Sequence, residues 1–229
     1  MELVTNNYTF GVVRKKMSNT HYFYTIGNLQ NKSHPCIEFM VSKEAHGWHL
    51  TIEHLQYHAS CSLEMLEKKN GTREMLQGAI CAIVKKHPKI VRIELTDASF
   101  FTTSSGHHIP LPEYRMITRG KTWYQEYFGA MPLSTDLRIK LKLYNKSREL
   151  ALEDLNNQEL SDKTLIDIMN RYDLKEISHR AWFIPLEEVL TWKYQGKFRK
   201  SPQSGGAWNH EHPMTYKFRF VPEIRAKAS

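Results

Sequence analysis

Side chains that ligate metals are concentrated in one stretch of the first half of the chain. His54 and His58 lie four residues apart, which on a strand places both on one face, and Cys61 follows them. A zinc site would take these three residues, with Cys81 as a fourth ligand. The spacing matches no standard zinc finger, and buried or capping histidines explain it more simply. The sequence therefore predicts no metal.

A second set of residues mixes aromatic rings with basic side chains near the C-terminus. Nucleic-acid grooves use this mixture, because bases stack on rings and phosphates pair with cations. The alternative is a strand with a solvated basic face and a buried aromatic face. The candidate nucleic-acid contacts, including two from an earlier basic segment, are Lys140, Lys142, Lys197, Arg199, Lys200, Lys217 and Arg219.

The charge of the chain comes from separate blocks. The formal net charge is +8. Residues 115–148 hold eight bases and two acids, residues 193–229 hold the same numbers, and residues 149–192 hold four bases and ten acids. A basic surface attracts phosphates and binds nucleic acid without sequence preference. The acidic block would instead neutralise its neighbours if the three pack together, and both alternatives stay open at this point.

A sheet and one helix must position these groups in the first hundred residues. Apolar residues from Met75 to Val84 recur with helical spacing, between Gly71-Thr72 and Pro88. A strand over 90–96 follows, so the order strand, helix, strand predicts a crossover. Before the helix, four short runs without helical periodicity predict an antiparallel meander over 8–13, 22–26, 36–41 and 48–57.

The second half of the chain is predicted to be more helical. Apolar and basic residues alternate over 137–143, which predicts a half-buried strand with Lys140 and Lys142 on its outer face. Residues 98–112 are predicted to be a polar excursion, helices are predicted over 123–128, 147–160, from Ser161 and over 185–192, and a late strand over 214–221. We expect an α+β fold with a mixed, mainly antiparallel central sheet. A first domain would span 1–146, and a helical, basic extension over 147–229 would pack on it.

The composition is that of a globular chain. Of 229 residues, 41% are apolar and 24% charged, which excludes a disordered or fibrous chain. No run approaches the roughly 18–20 apolar residues that span a bilayer, and the N-terminal residues do not form a secretory signal. The three cysteines are an odd number without a CxxC motif. This rules out a disulfide framework and favours a reducing, intracellular compartment.

Three pieces of the sequence, within residues 36–145, resemble the GCN5-related N-acetyltransferase (GNAT) family. Lys68–Thr72 resembles the family's Q/R-x-x-G-x-G/A loop, whose backbone amides hold the pyrophosphate of acetyl-CoA. The strand over 90–95 resembles the one that follows the family's helix. Lys121–Gly129 resembles the aromatic-Tyr-Glu-x-x-Gly-Phe segment, whose tyrosine protonates the departing thiolate. The resemblance implies a GNAT-like βαβ core.

The resemblance also implies a set of site residues. Tyr124 would protonate the thiolate of CoA, and Glu53 or His58, on the strand that borders the family's site, would deprotonate an amine. One glycine stands where the family has two, and the helices that shape the acceptor site are not evident, which favours a divergent member, with or without turnover. The residues implied to hold acetyl-CoA are Lys68, Asn70, Gly71, Thr72 and Arg73.

Two hypotheses about function follow. The first is a divergent GNAT-like protein that uses acyl-CoA. The second is a basic protein that binds nucleic acid or is a structural component of a virion. The block Gly120–Tyr124 is similar to uncharacterised proteins of large DNA viruses of amoebae, which implies a viral protein located in the host cytoplasm, the nucleus or the virion. No membrane partner is expected.

Overall fold

A computed structural model describes residues 1–27, 35–55, 71–103, 106–156, 162–171 and 181–200. These residues form a mixed α+β fold with a mainly antiparallel sheet and six helices. By their contacts they divide into two units. The first comprises Met1–Glu94 and the described residues from Ile184 onward, and the second comprises Leu95–Phe183. The domain boundary predicted at residue 146 falls inside a helix of the second unit.

An antiparallel meander forms the sheet of the first unit, as the sequence predicts. Each of its strands pairs antiparallel with the next. Alternate residues are buried, and Ile37, Phe39 and Val41 of the fourth strand are inaccessible to solvent. The strands are β1 (Glu2–Val4), β2 (Thr9–Lys16), β3 (His21–Gly27), β4 (Pro35–Glu44) and β5 (Gly47–Leu55).

The predicted order of strand, helix and strand is confirmed. Helix α1 (Gly71–Lys86) follows the meander, and strand β6 (Ile90–Thr96) lies next to β5 in the sheet. The apolar residues that predict the helix are buried along one side of it. Lys85 and Lys86 occupy its last turn, where cations interact favourably with the helix dipole. The residues of α1 that the sequence pattern uses and that are buried are Met75, Leu76, Ala79, Ile80 and Ile83.

The second unit is built mostly of helices. The predicted polar excursion contains a β-hairpin and a helix, and the predicted helix over 123–128 is confirmed. Two antiparallel pairs are present, β7 with β8 and β9 with β10. The elements are β7 (Phe100–Thr102), β8 (His108–Pro110), α2 (Leu111–Arg119), α3 (Trp123–Phe128), β9 (Met131–Pro132), α4 (Thr135–Asn156), α5 (Asp162–Arg171) and β10 (Ala181–Ile184).

The strand predicted over 137–143 is wrong, because these residues belong to helix α4. Leu137, Leu141 and Tyr144 are buried at spacings of four and three residues, which is the pattern of one helix face. Ile139 is 52% exposed, although it would share the buried face of a strand with Leu137. The alternation of apolar and basic residues is therefore a coincidence of helical spacing over a short run.

The chain returns to the first unit at its end. Helix α6 (Leu186–Thr191) matches the helix predicted over 185–192, and strand β11 (Lys197–Arg199) pairs antiparallel with β1. The strands of the first unit therefore lie in the order β11-β1-β2-β3-β4-β5-β6. The strand predicted over 214–221 lies outside the described residues.

Two cysteines lie within the described part of the chain. Cys36 is disulfide-bonded. The odd number of cysteines predicts no disulfide framework and a reducing compartment, so this bond runs against that expectation. Cys81 is free and buried, and burial raises the pKa of its thiol to about 11. Among the six described helices, none is long and apolar enough to cross a membrane.

Candidate functional site

Tyr124, the general acid implied by the family resemblance, is held in place by a helix that is capped at both ends. Thr122 precedes α3, and its hydroxyl accepts a hydrogen bond from the N–H of Gln125 (3.2 Å). The Gln125 side chain accepts one in return from the N–H of Thr122 (2.9 Å), which completes a capping box. Gly129 ends the helix in a left-handed conformation (φ 62°) that favours glycine. These contacts fix the position of Tyr124 within one short helix.

The ring of Tyr124 is packed among other aromatic rings. The ring centroid of Trp123 lies 5.0 Å away in an edge-on arrangement, and that of Phe128 lies 5.7 Å away. The tyrosine is 8% exposed. Burial, and then the negative charge of Asp97, raise the pKa of Tyr124 well above its usual 10. Its hydroxyl is therefore protonated at neutral pH.

Asp97 lies directly after β6 and is 3% exposed. Its Oδ1 accepts hydrogen bonds from the hydroxyl of Ser99 (2.6 Å) and from the backbone N–H of Ser99 (3.3 Å). Burial raises the pKa of Asp97 from 3.8 to about 6, although the Ser99 hydrogen bonds and the charge of Arg115 lower it in part. A carboxyl group with this pKa changes its protonation state close to neutral pH.

Arg115 connects the two helices around this pair. From α2 it forms an ion pair with Glu126 on α3, and its guanidinium lies 5.9 Å from the ring centroid of Tyr127. The Arg115 side chain is 18% exposed, and its Nε is buried with no hydrogen-bond partner among the described residues. We call Asp97, Ser99, Arg115, Tyr124 and Glu126 the acid–base cluster. Its five members all belong to the second unit.

The sequence identifies Tyr124 in this cluster but not Asp97. A local signal for Asp97 was present. In Asp97-Ala98-Ser99 an acidic side chain directly follows a strand and can bond the N–H two residues further on, which is typical of a turn. The burial that raises the pKa of this group depends on contacts that are distant in sequence, and the pattern does not reveal them.

The other described residues that the family resemblance implies lie in the first unit. Glu53 is on β5, half-buried, and burial raises the pKa of its carboxyl above 4.5. Gly71, Thr72 and Arg73 form the first turn of α1. The guanidinium of Arg73 lies 5.7 Å from the ring centroid of Tyr194. His58, Lys68 and Asn70 lie outside the described residues.

A carboxylate already occupies the first turn of α1. Glu74 is buried and accepts hydrogen bonds at Oε1 from the Thr5 hydroxyl (2.7 Å) and the Asn7 N–H (2.7 Å). The Asn7 side-chain amide donates to Oε2 (2.8 Å). A negative charge here interacts favourably with the helix dipole, so it offsets part of the positive potential that a bound phosphate would use.

The candidate nucleic-acid residues are dispersed. Lys197 and Arg199 lie on β11 and Lys200 follows it, all three exposed, but the Arg199 guanidinium is paired with Glu2. Lys140 and Lys142 are exposed on helix α4, in the second unit. Lys217 and Arg219 lie outside the described residues.

The described ranges contain no group of three or more histidine, cysteine, aspartate or glutamate side chains that could hold a metal ion. The side chain of His54, and His58 and Cys61 entirely, lie outside those ranges, so most of the zinc set weighed from the sequence is not described. Cys81 lies inside them. Its sulfur lies 3.8 Å from the carbonyl oxygen of Val189, in a buried environment that does not suit a ligand.

The chain was also compared with known proteins. No protein-family model, no curated protein and no solved structure matches it.

Proposed function

We propose that this chain is a divergent GNAT-like protein that binds an acyl-CoA, and that its acid–base cluster holds a proton donor and a proton acceptor. The observation that carries the proposal is that Asp97 and Tyr124 are both buried in the second unit and that the negative charge of Asp97 adds to the burial that raises the pKa of Tyr124. Two titratable groups with opposite roles in one buried cluster are typical of acid–base chemistry.

Acyl transfer from a thioester to an amine needs both groups. The amine nitrogen forms a bond to the thioester carbonyl carbon, and the carbon–sulfur bond breaks. The amine loses one proton and the thiolate gains one. Asp97, whose pKa is about 6, is largely ionised at neutral pH and suits the acceptor, whereas Tyr124 is protonated and suits the donor.

The beginning of α1 supports the binding part of the proposal. It comes after β5 in the chain and starts at a glycine, and the N-terminus of a helix suits a pyrophosphate. The Glu74 carboxylate in the same turn and the single glycine both weaken an anion site. We therefore expect micromolar affinity for acetyl-CoA, and any turnover is measured separately from binding.

Isothermal titration with acetyl-CoA and with CoA tests binding. Gly71→Trp blocks the approach of a pyrophosphate but places a large ring at a buried position. Thr72→Asp is the second variant, because an acid in the first turn favours the helix yet repels a phosphate. We expect both variants to reduce affinity at least tenfold. Thr135→Asp, which adds the same charge at the exposed start of α4, is the matched control and should leave affinity unchanged.

Tyr124→Phe separates binding from chemistry. It removes the hydroxyl and keeps the packed ring, so acetyl-CoA affinity should stay within about threefold of wild type. Any thiol release in the presence of amines should fall by about 10²- to 10⁴-fold, the usual contribution of a positioned acid. Absence of heat and of a thermal shift with either ligand would overturn the proposal, as would equal losses in Thr72→Asp and Thr135→Asp.

A further inference from the structure

A cluster of aromatic rings lies on the first unit where β3, β5 and β11 meet the end of α1. The ring centroid of Tyr22 lies 5.9 Å from that of Trp48 and 5.0 Å from that of His87. The ring centroids of Trp48 and His87 lie 6.2 Å apart, with an interplanar angle of 29°. Tyr24 stacks on Phe198 at 5.7 Å with an interplanar angle of 6°. We call these five residues the ring cluster.

The ring cluster has a fixed base and an exposed upper layer. Tyr24 is completely buried, and its hydroxyl lies 2.7 Å from Nε2 of His87. The other four rings are half-buried. Stacked aromatic side chains that stay partly open to solvent give a surface on which another flat π system can stack without displacing the core.

Two cationic side chains lie close to rings of the cluster. The guanidinium of Arg14 lies 4.5 Å from the ring centroid of Tyr22, and Nζ of Lys86 lies 6.0 Å from that of Phe198. Burial, and to a smaller extent the charges of Arg14 and Lys86, lower the pKa of His87 to about 4, so this imidazole is neutral at pH 7. The local potential at the rings is therefore positive.

Four segments that carry the rings or pair with the strands that carry them contain far more bases than acids. Residues 14–16, 43–44, 85–89 and 197–200 hold ten lysine or arginine residues and one acid, Glu44. Glu44 lies 3.1 Å from Nδ1 of His49, and Arg199 is paired with Glu2. All ten cations are exposed, and Nζ of Lys85 also donates a hydrogen bond to Oε1 of Gln195 (3.4 Å). Besides Arg199, the cations available to phosphates are Arg14, Lys15, Lys16, Lys43, Lys85, Lys86, Lys89, Lys197 and Lys200.

We propose that the ring cluster and its cations bind single-stranded nucleic acid. Bases stack on the part of the Trp48 ring that is open to solvent, and the backbone phosphates contact Arg14, Lys86 and the lysines beside them. Stacking needs unpaired bases, so a duplex is bound more weakly. This function uses neither the start of α1 nor Asp97 and Tyr124, so it stands or falls independently of acyl-CoA binding.

Fluorescence anisotropy with the full chain tests the proposal. The probes are labelled oligo(dT) and oligo(rU) of about 20 nucleotides, a duplex of the same length, and heparin as a polyanion without bases. We expect both single strands to bind and the duplex to bind less tightly. Affinity should fall as salt rises from about 50 to 300 mM, because cations released from phosphates drive binding.

Two classes of variant separate stacking from charge. Trp48→Ala should weaken binding of single strands about 10- to 100-fold and leave heparin binding unchanged, whereas Trp48→Phe keeps a stacking ring and most of the affinity. Arg14→Ala should weaken both ligands and reduce the salt slope by about 0.7. Arg119→Ala, an exposed arginine of the second unit, is the matched control. Thermal unfolding of each variant checks that the fold is retained.

Three outcomes would overturn the proposal. The first is no binding of either single strand at low salt. The second is equal affinity for oligonucleotides and heparin with no effect of Trp48→Ala in a folded protein, which would indicate general attraction between charges. The third is tighter binding of the duplex than of the single strands. A preference for RNA over DNA would support the proposal and identify the natural strand.

Discussion

At the scale of single residues, the buried carboxyl of Asp97 makes a prediction about pH. Its pKa is raised from 3.8 to about 6, so the folded state disfavours the ionised form. Its contribution to stability is therefore highest below pH 4 and falls as pH rises to about 6. Asp97→Asn, which can still accept from Ser99, should stabilise the protein near pH 8 by up to about 3 kcal/mol and have little effect near pH 4.

Urea unfolding at the two pH values measures this difference. Asp136→Asn is the control, because Asp136 is exposed in the first turn of α4 and should not become more stable when neutralised. A loss of stability in Asp97→Asn that is equal at both pH values would contradict a raised pKa and would indicate that the carboxylate stabilises the fold through its hydrogen bonds.

His87 makes the opposite prediction. Burial and the charges of Arg14 and Lys86 lower its pKa to about 4. The stability from its neutral form is complete above about pH 6.5 and is lost as pH falls to 4. In thermal unfolding, the stability advantage of wild type over His87→Gln should therefore shrink or reverse between pH 7 and about pH 4. His46→Gln, at an exposed histidine, is the control, and a gap that does not change with pH would contradict the argument.

A site residue could be predicted from the sequence where the residues that identify it are its neighbours in the chain. Tyr124 could be identified because a motif of adjacent residues carries it. Asp97 became a candidate only once its burial and its proximity to Tyr124 were known, since both depend on residues far apart in sequence. Arg115 and Glu126, an ion pair between two helices, were not predictable for the same reason.

At the scale of elements, two backbones approach each other closely between α1 and the segment before β11. A Cβ added at Gly196 would stand 2.1 Å from the carbonyl oxygen of Gly78, and neither backbone can yield easily. Gly196→Ala should therefore destabilise the protein by about 3 kcal/mol or more. Gly106→Ala is the comparison, because its left-handed conformation (φ 86°) gives strain of about 1–2 kcal/mol but no clash.

Chemical denaturation of both variants checks this prediction. If Gly196→Ala loses no more stability than Gly106→Ala, the two segments do not approach as closely as described. A larger loss in Gly196→Ala would identify this contact as the place where α1 and the end of the chain are held together.

The elements themselves were predicted where a single period dominates. The meander and α1 follow from alternation and from helical spacing over many residues. The prediction for residues 137–143 was wrong because a run of seven residues fits both periods. The exposure of Ile139 and the burial of Tyr144, beyond the end of the run, distinguish the two. Strands β9 to β11 have two to four residues each, too short for any period to be visible.

At the scale of the whole molecule, the first unit is made from two separate parts of the chain, Met1–Glu94 and the described residues from Ile184 onward. β1 pairs with β11 in the register Leu3 opposite Phe198, across nearly two hundred residues. No sequence pattern specifies which distant strand will pair with a short one. The domain division expected from composition therefore could not anticipate that residues 184–200 belong with the N-terminal sheet.

The pairing of β1 with β11 also sets an order of events during synthesis. The ribosome releases the meander and α1 long before residues 193–199 emerge. Until then the edge of β1 that pairs with β11 has no partner, and the surface of α1 around Gly78 is not covered by Gly196. All of Leu95–Phe183 is made in that interval. The nascent chain therefore passes through a long stage in which a chaperone, or another strand, can occupy the place of β11.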